Sequence, residues 1–351
     1  MKYTKSILAI TVASLLTACG GSDSNDDTPQ PMTGTFNLGV SDNPADAEIV
    51  NIAFKQVVLK GNGESLSFDV SDSGELKHVD LLQFQGQEVE TLVSGQSIPT
   101  GEYQMCIYME KSEVANEDSS YVKTADGIAG LTTNSNGSCG GVGADEPDTG
   151  RLFFNKAFTI AAGNNVFVAE FNLGQGLQAP HGNKDYWTLK PTSVQLVNNA
   201  EVGAIKGQIN ASDSETLSNI KTECENAAGG TEYSQAVYLY PADTALTDMV
   251  DFRPDADVTA PQAAPIASAR VNAMLDQNDE VTGYEYEFGF VTAGTYSLGY
   301  TCVAQNDDPE SVNTPEDAEV PFFIHIDEQT VEVTNGATTE RHFPMDFVPV
   351  S

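Results

Sequence analysis

The sequence has few basic residues. Only 16 Lys and Arg stand against 51 Asp and Glu, which gives a formal net charge of −35 over 351 residues. A chain this acidic repels nucleic acids and acidic lipid headgroups, so we expect neither as a partner. Because the acidic residues are spread along the whole chain, we interpret them first as a solubility feature and second as weak ligands for divalent cations.

The sequence also lacks the common catalytic motifs. It contains no HExxH zinc motif, no GxSxG nucleophile elbow and no phosphate-binding P-loop. Its four histidines are far apart, and no pair has metal-ligand spacing; they are His78, His181, His325 and His342. His325 lies in an apolar run, which favours a hydrogen-bonded histidine of a strand. We therefore expect no enzyme. The remaining catalytic hypothesis is a carbohydrate-active or other hydrolase with a carboxylate pair, although nothing singles out such a pair.

After the N-terminus the sequence has no apolar run long enough to span a membrane. The N-terminus itself carries Lys2 and Lys5 before the apolar run from Ile7 to Leu16, the pattern of an export signal. The residues that follow, Leu16-Thr-Ala-Cys-Gly20, resemble the bacterial lipobox. That resemblance implies a signal peptide over residues 1–18 and acyl chains, such as palmitate, on Cys19. An ordinary signal peptide with a coincidental cysteine is the alternative.

The segment after Cys19 is poor in apolar residues and rich in Gly, Ser, Asp and Pro. Such a composition cannot bury a core, so residues 19–33 are predicted to be a lipidated cysteine and a flexible tether. In the enterobacterial pattern an aspartate after the lipidated cysteine favours the inner membrane. Because Gly20 stands there instead, we expect a lipid-anchored protein of the cell envelope, in the outer membrane, without knowing which side it faces.

Four further cysteines are present, and none has the CxxC spacing typical of redox or zinc sites. An even number of cysteines in an exported protein indicates disulfides, because that compartment is oxidising. Of the three possible pairings, Cys106–Cys139 with Cys224–Cys302 keeps each bond inside one predicted domain. We therefore predict that pairing.

The body of the chain reads as strands and turns, with helical periodicity nearly absent. In Tyr284–Phe290 and Tyr296–Cys302 apolar residues recur at every second position, which places them on one face of a strand.

A boundary is predicted near Asn198–Glu201. The sequences Ile98–Met105 and Val291–Leu298 share a Gly-x-Tyr pattern, with the tyrosine ring inward and its hydroxyl free to bond the backbone. This echo predicts two tandem β-sandwich domains, Ig-like or transthyretin-like, over residues 34–198 and 200–351. Coincidence is the alternative.

Four ordered motifs carry a more specific resemblance. They are Thr35–Asp46 with the following Ile49–Leu59, then Val79–Leu82, Ile98–Tyr103 and Leu189–Val194. In this order they resemble the DUF4382 family over about residues 33–198. The resemblance implies a domain of unknown function found in bacterial lipoproteins, and it brings no catalytic residues. Residues 200–351 more loosely resemble carboxypeptidase-regulatory-like or transthyretin-like sandwiches, which implies an accessory module.

Oxygen-rich clusters are the candidates for a metal. Asp42, Asp46 and Glu48 lie in a predicted turn and could bind calcium. Asp42 and Asn43 can equally bond the local backbone as turn formers. We favour the turn and expect no required cofactor. The loop Asp276–Glu280 lacks the glycine that an EF-hand needs, so it is interpreted as a solvated hairpin loop. The acids from Asp243 to Asp257 and from Asp307 to Glu310 are likewise expected in exposed loops.

The candidate ligand-binding loop is Gly174–Trp187, a long polar segment that ends at the one tryptophan of the chain. Loops on a rigid sandwich carry binding residues more often than the scaffold does. His181, Tyr186 and Trp187 are therefore candidates for contact with a sugar or a peptide. The alternative is that Trp187 begins the next core strand.

Taken together, these features predict a membrane-anchored, non-catalytic envelope lipoprotein with a binding or scaffolding role. The partner would be an unidentified envelope protein or glycan. A structural or adhesive surface module is the alternative. It predicts an exposed apolar patch or a free sheet edge.

Overall fold

The computed structural model describes residues 32–343 apart from residues 44–46, 62, 64, 72–74, 136, 140–146, 210–213 and 318–319. Residues Met32–Ser351 form one compact unit. The predicted signal peptide, Cys19 and the predicted tether up to residue 31 lie outside the described residues. No helix in the described part of the chain is long and apolar enough to cross a membrane.

The first sandwich occupies the chain up to Asn198. Its strands are β1 (Thr33–Asn43), β2 (Ile49–Lys60), β3 (Leu66–Asp69), β4 (Lys77–Asp80), β5 (Glu90–Pro99), β6 (Gly101–Glu110), β7 (Tyr121–Thr124), β8 (Gly127–Thr133), β9 (Thr149–Ile160), β10 (Gly163–Asn172), β11 (Leu177–Gln178), β12 (Trp187–Leu189) and β13 (Val194–Asn198). One sheet has the order β13-β10-β1-β5. The other has the order β11-β12-β8-β7-β2-β6-β9, with β3 and β4 also paired to β2.

The second sandwich contains the later strands. They are β14 (Val202–Ile209), β15 (Ala236–Pro241), β16 (Ala267–Arg270), β17 (Asn272–Leu275), β18 (Val281–Thr292), β19 (Gly294–Thr301), β20 (Ile326–Val333) and β21 (Thr338–Glu340). Its sheets have the orders β17-β18-β14-β21 and β16-β15-β19-β20. No described sheet takes strands from both sides of residues 198–202. Whether each half folds as an independent domain stays a prediction.

Helices are few among the described residues. They are α1 (Leu173–Gly176) and α2 (Ser214–Ala228), with 3-10 helices at Leu81–Gln83, Pro191–Ser193, Leu246–Asp248, Asp255–Asp257 and Ala304–Asn306. Helix α2 was not predicted from the sequence. Its apolar residues Leu217, Ile220 and Cys224 recur at helical spacing, and Ile220 and Cys224 are fully buried against the second core.

Each sandwich closes on its own hydrophobic core, as alternation along the strands requires. Phe36, Leu38 and Val40 of β1 meet Ile52 and Phe54 of β2 in the first core. In the second core, residues of β14 and β18 pack on residues of β15 and β19, including Ile205, Phe288, Leu239 and Leu298. The chain is therefore an all-β protein of stacked sheets, as the sequence predicted.

Both predicted disulfides are present. Cys106 of β6 is bonded to Cys139, and Cys224 of α2 is bonded to Cys302, directly after β19. The second bond joins α2 to the end of β19, and its two cysteines are 78 residues apart in the sequence. Constraining a loop of that length restricts the unfolded chain and stabilises the fold by about 4 kcal/mol.

The two Gly-x-Tyr turns have the same local geometry. The hydroxyl of Tyr103 donates to the carbonyl oxygen of Pro99 at 2.8 Å, and that of Tyr296 donates to Thr292 at 2.7 Å. Each tyrosine therefore bonds the backbone four residues upstream while its ring packs against the core of its own sandwich. This is the contact that the shared pattern predicted.

Candidate functional site

Asp42, a calcium candidate of the sequence analysis, lies inside the first sandwich. It continues the inward alternation of Phe36, Leu38 and Val40 along β1, and only 1% of its surface is exposed. Burial raises its pKa well above the ordinary value, and the nearby charges of Glu170 and Asp80 add to the shift. The backbone amide of Leu173 opposes the shift, but no described group makes a well-formed hydrogen bond with either carboxylate oxygen.

Of the other two calcium candidates, the structure describes Glu48. Glu48 is exposed, and its carboxylate forms an ion pair of 2.8 Å with Lys123. Asp46 lies outside the described residues. Within the described ranges, no group of three or more His, Cys, Asp or Glu side chains could hold a metal ion.

The predicted ligand-binding loop is spread over the surface of the first sandwich. His181 is exposed, with its Nδ1 3.1 Å from the carbonyl oxygen of Ala179. The ammonium of Lys184 lies 5.5 Å from the centre of the Tyr186 ring, and Trp187 begins β12 and packs half-buried against the first core. Trp187 therefore begins a core strand, which was the alternative to a binding role. A binding role of the loop stays a prediction.

The expectation that two acidic segments are wholly exposed loops was wrong. Asp251 is fully buried and paired with Arg253, and its Oδ2 accepts a hydrogen bond of 2.7 Å from the amide of Asn313. Asp307 accepts a hydrogen bond of 2.8 Å from the Tyr238 hydroxyl, and burial raises its pKa well above the ordinary value. These carboxylates join loops over the outer face of β15, a role that alternation along strands cannot predict.

Two other local predictions concern the Asp276–Glu280 loop and His325. Asp276 closes the hairpin loop between β17 and β18, since its Oδ1 accepts hydrogen bonds from the amides of Asn278 and Glu280 at 2.7 and 2.9 Å. His325 lies just before β20, where its Nδ1 accepts a hydrogen bond of 3.3 Å from the amide of Cys302. Burial lowers the pKa of His325 to about 4.

The two sandwiches meet where two glycines allow the backbones to touch. Gly86 lies in the loop between β4 and β5 with φ of +61°, and Gly289 lies in β18. A Cβ atom on Gly289 would lie 1.6 Å from the carbonyl oxygen of Gly86, so no side chain fits there. We call this region, where the loop of residues 82–88 rests on the second sandwich, the junction.

Apolar and polar contacts extend the junction beyond the glycines. The side chain of Asn172 donates a hydrogen bond of 3.1 Å to the carbonyl oxygen of Ile266, and Lys190 forms an ion pair with Glu310. A separate hydrophobic cluster spans both sandwiches and consists of Val168, Val197, Val202 and Phe290. These contacts hold the sandwiches together as one body.

A polar cavity inside the junction holds a carboxyl group. Asn43, Glu170 and Asn172 line a volume of about 60 Å³, facing apolar residues of the second sandwich such as Phe290. The side chain of Asn43 donates a hydrogen bond of 3.1 Å to Glu170. Burial nevertheless raises the pKa of Glu170 to about 7.

A second concave surface is a cleft along the edge of this junction. Its deeper part has a volume of about 300 Å³ and its wider part about 680 Å³, and both parts share Gln85, Arg270, Asn272 and Glu287. The loop of residues 82–88 forms one wall. The outward face of the sheet β17-β18-β14-β21 forms the other. We call this surface the junction cleft.

The polar floor of the junction cleft follows from strand register. Asn272 of β17 lies opposite Glu285 of β18, and Lys206 of β14 lies opposite both Glu287 and Glu340. Directly opposed residues project from the same face of a sheet, so these side chains form rows across the strands. Lys206 and Glu340 are paired at 3.4 Å.

The charges of the cleft are mixed. Partial burial raises the pKa of Glu287, with Lys206 opposing the shift and the carboxylates of Glu285 and Glu88 adding to it. Arg270 is exposed at the point where the two parts of the cleft join, and it forms no ion pair with any residue that the structure describes.

Only part of this site could be predicted from the sequence. The alternation in Tyr284-Glu-Tyr-Glu-Phe288 correctly predicts that Glu285 and Glu287 point away from the core. No local pattern showed that the loop of residues 82–88 covers them, because the two segments are about 200 residues apart. The Gly86 and Gly289 pair, which makes that contact possible, has no recognisable motif.

Comparison with known proteins gives one family and two distant structures. No curated protein matches the sequence. A putative cell adhesion protein from Bacteroides fragilis is 9% identical, with 88% of this chain and 93% of that chain covered and a TM-score of 0.21. The fimbrial anchor protein Mfa2 from Porphyromonas gingivalis is 9% identical, with 78% and 80% covered and a TM-score of 0.17.

The family match falls on the first sandwich. The model of the family described as a domain of unknown function, DUF4382, matches from residue 33 to residue 191. This range takes in the ordered motifs from Thr35 to Pro191 that carried the resemblance. Residues 33–191 of this chain therefore match the family model of DUF4382, as the sequence motifs predicted.

Proposed function

We propose that this protein is held at a membrane surface of the bacterial envelope by acyl chains on Cys19 and acts there as a non-catalytic binding or scaffolding protein. The observation that carries the binding role is the junction cleft, a concave polar surface built by both sandwiches. Sites between packed units are frequent places for ligands, because residues from separate parts of the chain converge there. The junction contacts keep the two walls of the cleft in fixed positions.

The anchor part of the proposal rests on the lipobox-like residues and is tested by detergent-phase partition. The wild-type chain expressed in a Gram-negative host should enter the detergent phase, because several acyl chains give stable membrane binding. The Cys19→Ala variant should stay in the aqueous phase or keep its leader. Mass spectrometry of the N-terminal peptide should show an acylated Cys19. Equal partition of both proteins would rule out the lipid anchor.

The binding part is tested by filling the cleft. Size-separated fractions of the cell envelope are added to the purified mature chain and its melting temperature is measured. A ligand that binds the folded state raises that temperature. The rise should be lost in Asn272→Trp, which fills the cleft, and kept in Asn199→Trp, a matched change at an exposed residue. A rise that survives in Asn272→Trp would place the ligand elsewhere.

An adhesive module is the second candidate, and one observation favours it. Leu275 and Val281 lie opposite each other in the β17–β18 hairpin and are 56% and 40% exposed. Such a pair at the end of a hairpin offers an apolar contact to another protein. If adhesion depends on it, the Leu275→Ser and Val281→Ser double variant should lose cell aggregation, while Asn272→Trp should keep it.

A further inference from the structure

Building on the proposed binding role, we propose that the junction cleft takes an uncharged saccharide, held by hydrogen bonds to its hydroxyl groups. The inference rests on the hydrogen-bonding side chains that line the cleft, on the mixed charge of its deeper part and on the connection between its two parts.

The lining consists mainly of hydrogen-bonding side chains. Amides come from Gln85, Gln208 and Asn272, a guanidinium comes from Arg270, and carboxylates come from Glu285 and Glu287. A sugar hydroxyl both donates and accepts, so it can satisfy a carboxylate and an amide or guanidinium at the same time. An apolar ligand would leave these groups without partners, which costs free energy for each group desolvated.

Several of these groups are unused by the protein. In the described part of the chain, the side chains of Arg270, Asn272 and Glu285 make no hydrogen bond or ion pair. Because Asn272 and Glu285 are directly opposed across two strands, they present a donor and acceptors side by side. Two hydroxyl groups of one sugar ring can therefore engage both residues.

The charge of the deeper part argues against a strongly charged ligand. Lys206 and Arg270 face Glu285, Glu287 and Glu340, and Lys206 is already paired with Glu340. A phosphate or an acidic glycan would be repelled by the two remaining carboxylates, those of Glu285 and Glu287. It would find only one free guanidinium among the described residues of the deeper part, that of Arg270. A basic peptide would meet Arg270 at the centre of the cleft. A neutral ligand avoids both repulsions.

The shape favours more than one sugar unit. The deeper part, at about 300 Å³, is near the lower limit of small-molecule sites, and it continues into the wider part through four shared residues. Gly86 lies close to the shared residue Glu287, since a Cβ atom on Gly86 would lie 2.8 Å from a carboxylate oxygen of Glu287. A short oligosaccharide can therefore follow the cleft from one part into the other.

The test is an array of neutral, uronate-containing and sialylated oligosaccharides, probed with the mature full-length chain and followed by calorimetry on the tightest binder. We expect a neutral glycan, with affinity reduced at least ten-fold by Arg270→Ala and by Asn272→Ala. The control Asn199→Ala should bind as the wild type does. Melting temperatures of all variants show whether each is folded. Because the ligand carries no charge, its affinity should change little between low and high salt.

The other outcomes separate this inference from the proposed function. Binding of acidic glycans alone, lost in Asn272→Ala, would overturn the uncharged ligand and leave the cleft as a binding site. Binding of a neutral glycan that Asn272→Ala and Arg270→Ala do not weaken would overturn both assignments. An array without any binder would overturn the saccharide, and the melting-temperature test with envelope fractions would then decide the binding role.

Discussion

Glu170 makes the free energy of unfolding depend on pH. Burial at the junction raises its pKa to about 7 from an ordinary value of 4.5. An acid whose pKa is raised by folding binds its proton more tightly in the folded state. Glu170 therefore contributes its full stabilisation when the pH is below the pKa that it has in the unfolded chain. That contribution is lost as the pH rises towards 7. The shift corresponds to about 3 kcal/mol between pH 4 and pH 8.

The Glu170→Gln variant isolates this effect. It keeps an acceptor for Asn43 but cannot ionise, so it should lose less stability than the wild type between pH 5 and pH 8, as measured by urea unfolding. The comparison is needed because His325, with its pKa lowered to about 4, destabilises the fold on the acid side of pH 6.5. Parallel pH profiles of wild type and variant would show that Glu170 is ionised in the folded protein throughout this range.

The turn tyrosines give a second prediction at this scale. Tyr103→Phe and Tyr296→Phe each remove one hydroxyl that bonds a carbonyl four residues upstream. Each change should lower the free energy of unfolding by about 1 kcal/mol, the net value of one hydrogen bond. Tyr121→Phe is the matched control, since its hydroxyl makes no hydrogen bond to the described residues. An equal loss in all three variants would mean that the turn contact contributes nothing specific.

At the scale of elements, the Gly86 and Gly289 contact sets the position of one sandwich on the other. Gly289→Ala places a Cβ atom 1.6 Å from the Gly86 carbonyl oxygen, so the loop of residues 82–88 must move away from β18. We expect a loss of about 1–3 kcal/mol, typical of overpacking, and faster hydrogen exchange in residues 84–89. Gly230→Ala meets no atom within 4 Å and is the control. Unchanged exchange in Gly289→Ala would contradict the close contact.

Elements with strong alternation were predictable from sequence, and elements with mixed patterns were not. β18 and β19 were recognised because apolar and polar residues alternate along Tyr284–Phe290 and Tyr296–Cys302. Helix α2 was missed because a strand-rich context favoured turns. Its apolar stripe includes Cys224, whose role depends on a disulfide to a residue far along the chain.

At the scale of the whole molecule, the fold class and the family segment could be predicted, but the junction cleft could not. Local alternation determines which face of a strand is buried, so it placed Glu285 and Glu287 outside the core. It carries no information about which distant loop covers that face. The cleft exists because the loop of residues 82–88 reaches β18, a contact that depends on shape and on two glycines.

The most direct test of the account is hydrogen–deuterium exchange of the mature chain with and without the ligand-containing envelope fraction. The account predicts slower exchange in the segments that line the junction cleft, namely residues 82–88, 204–208, 270–274 and 283–288. Protection should disappear in Asn272→Trp and persist in Asn199→Trp. Protection confined to residues 174–187 or to the tip of the β17–β18 hairpin would contradict the junction cleft as the binding site.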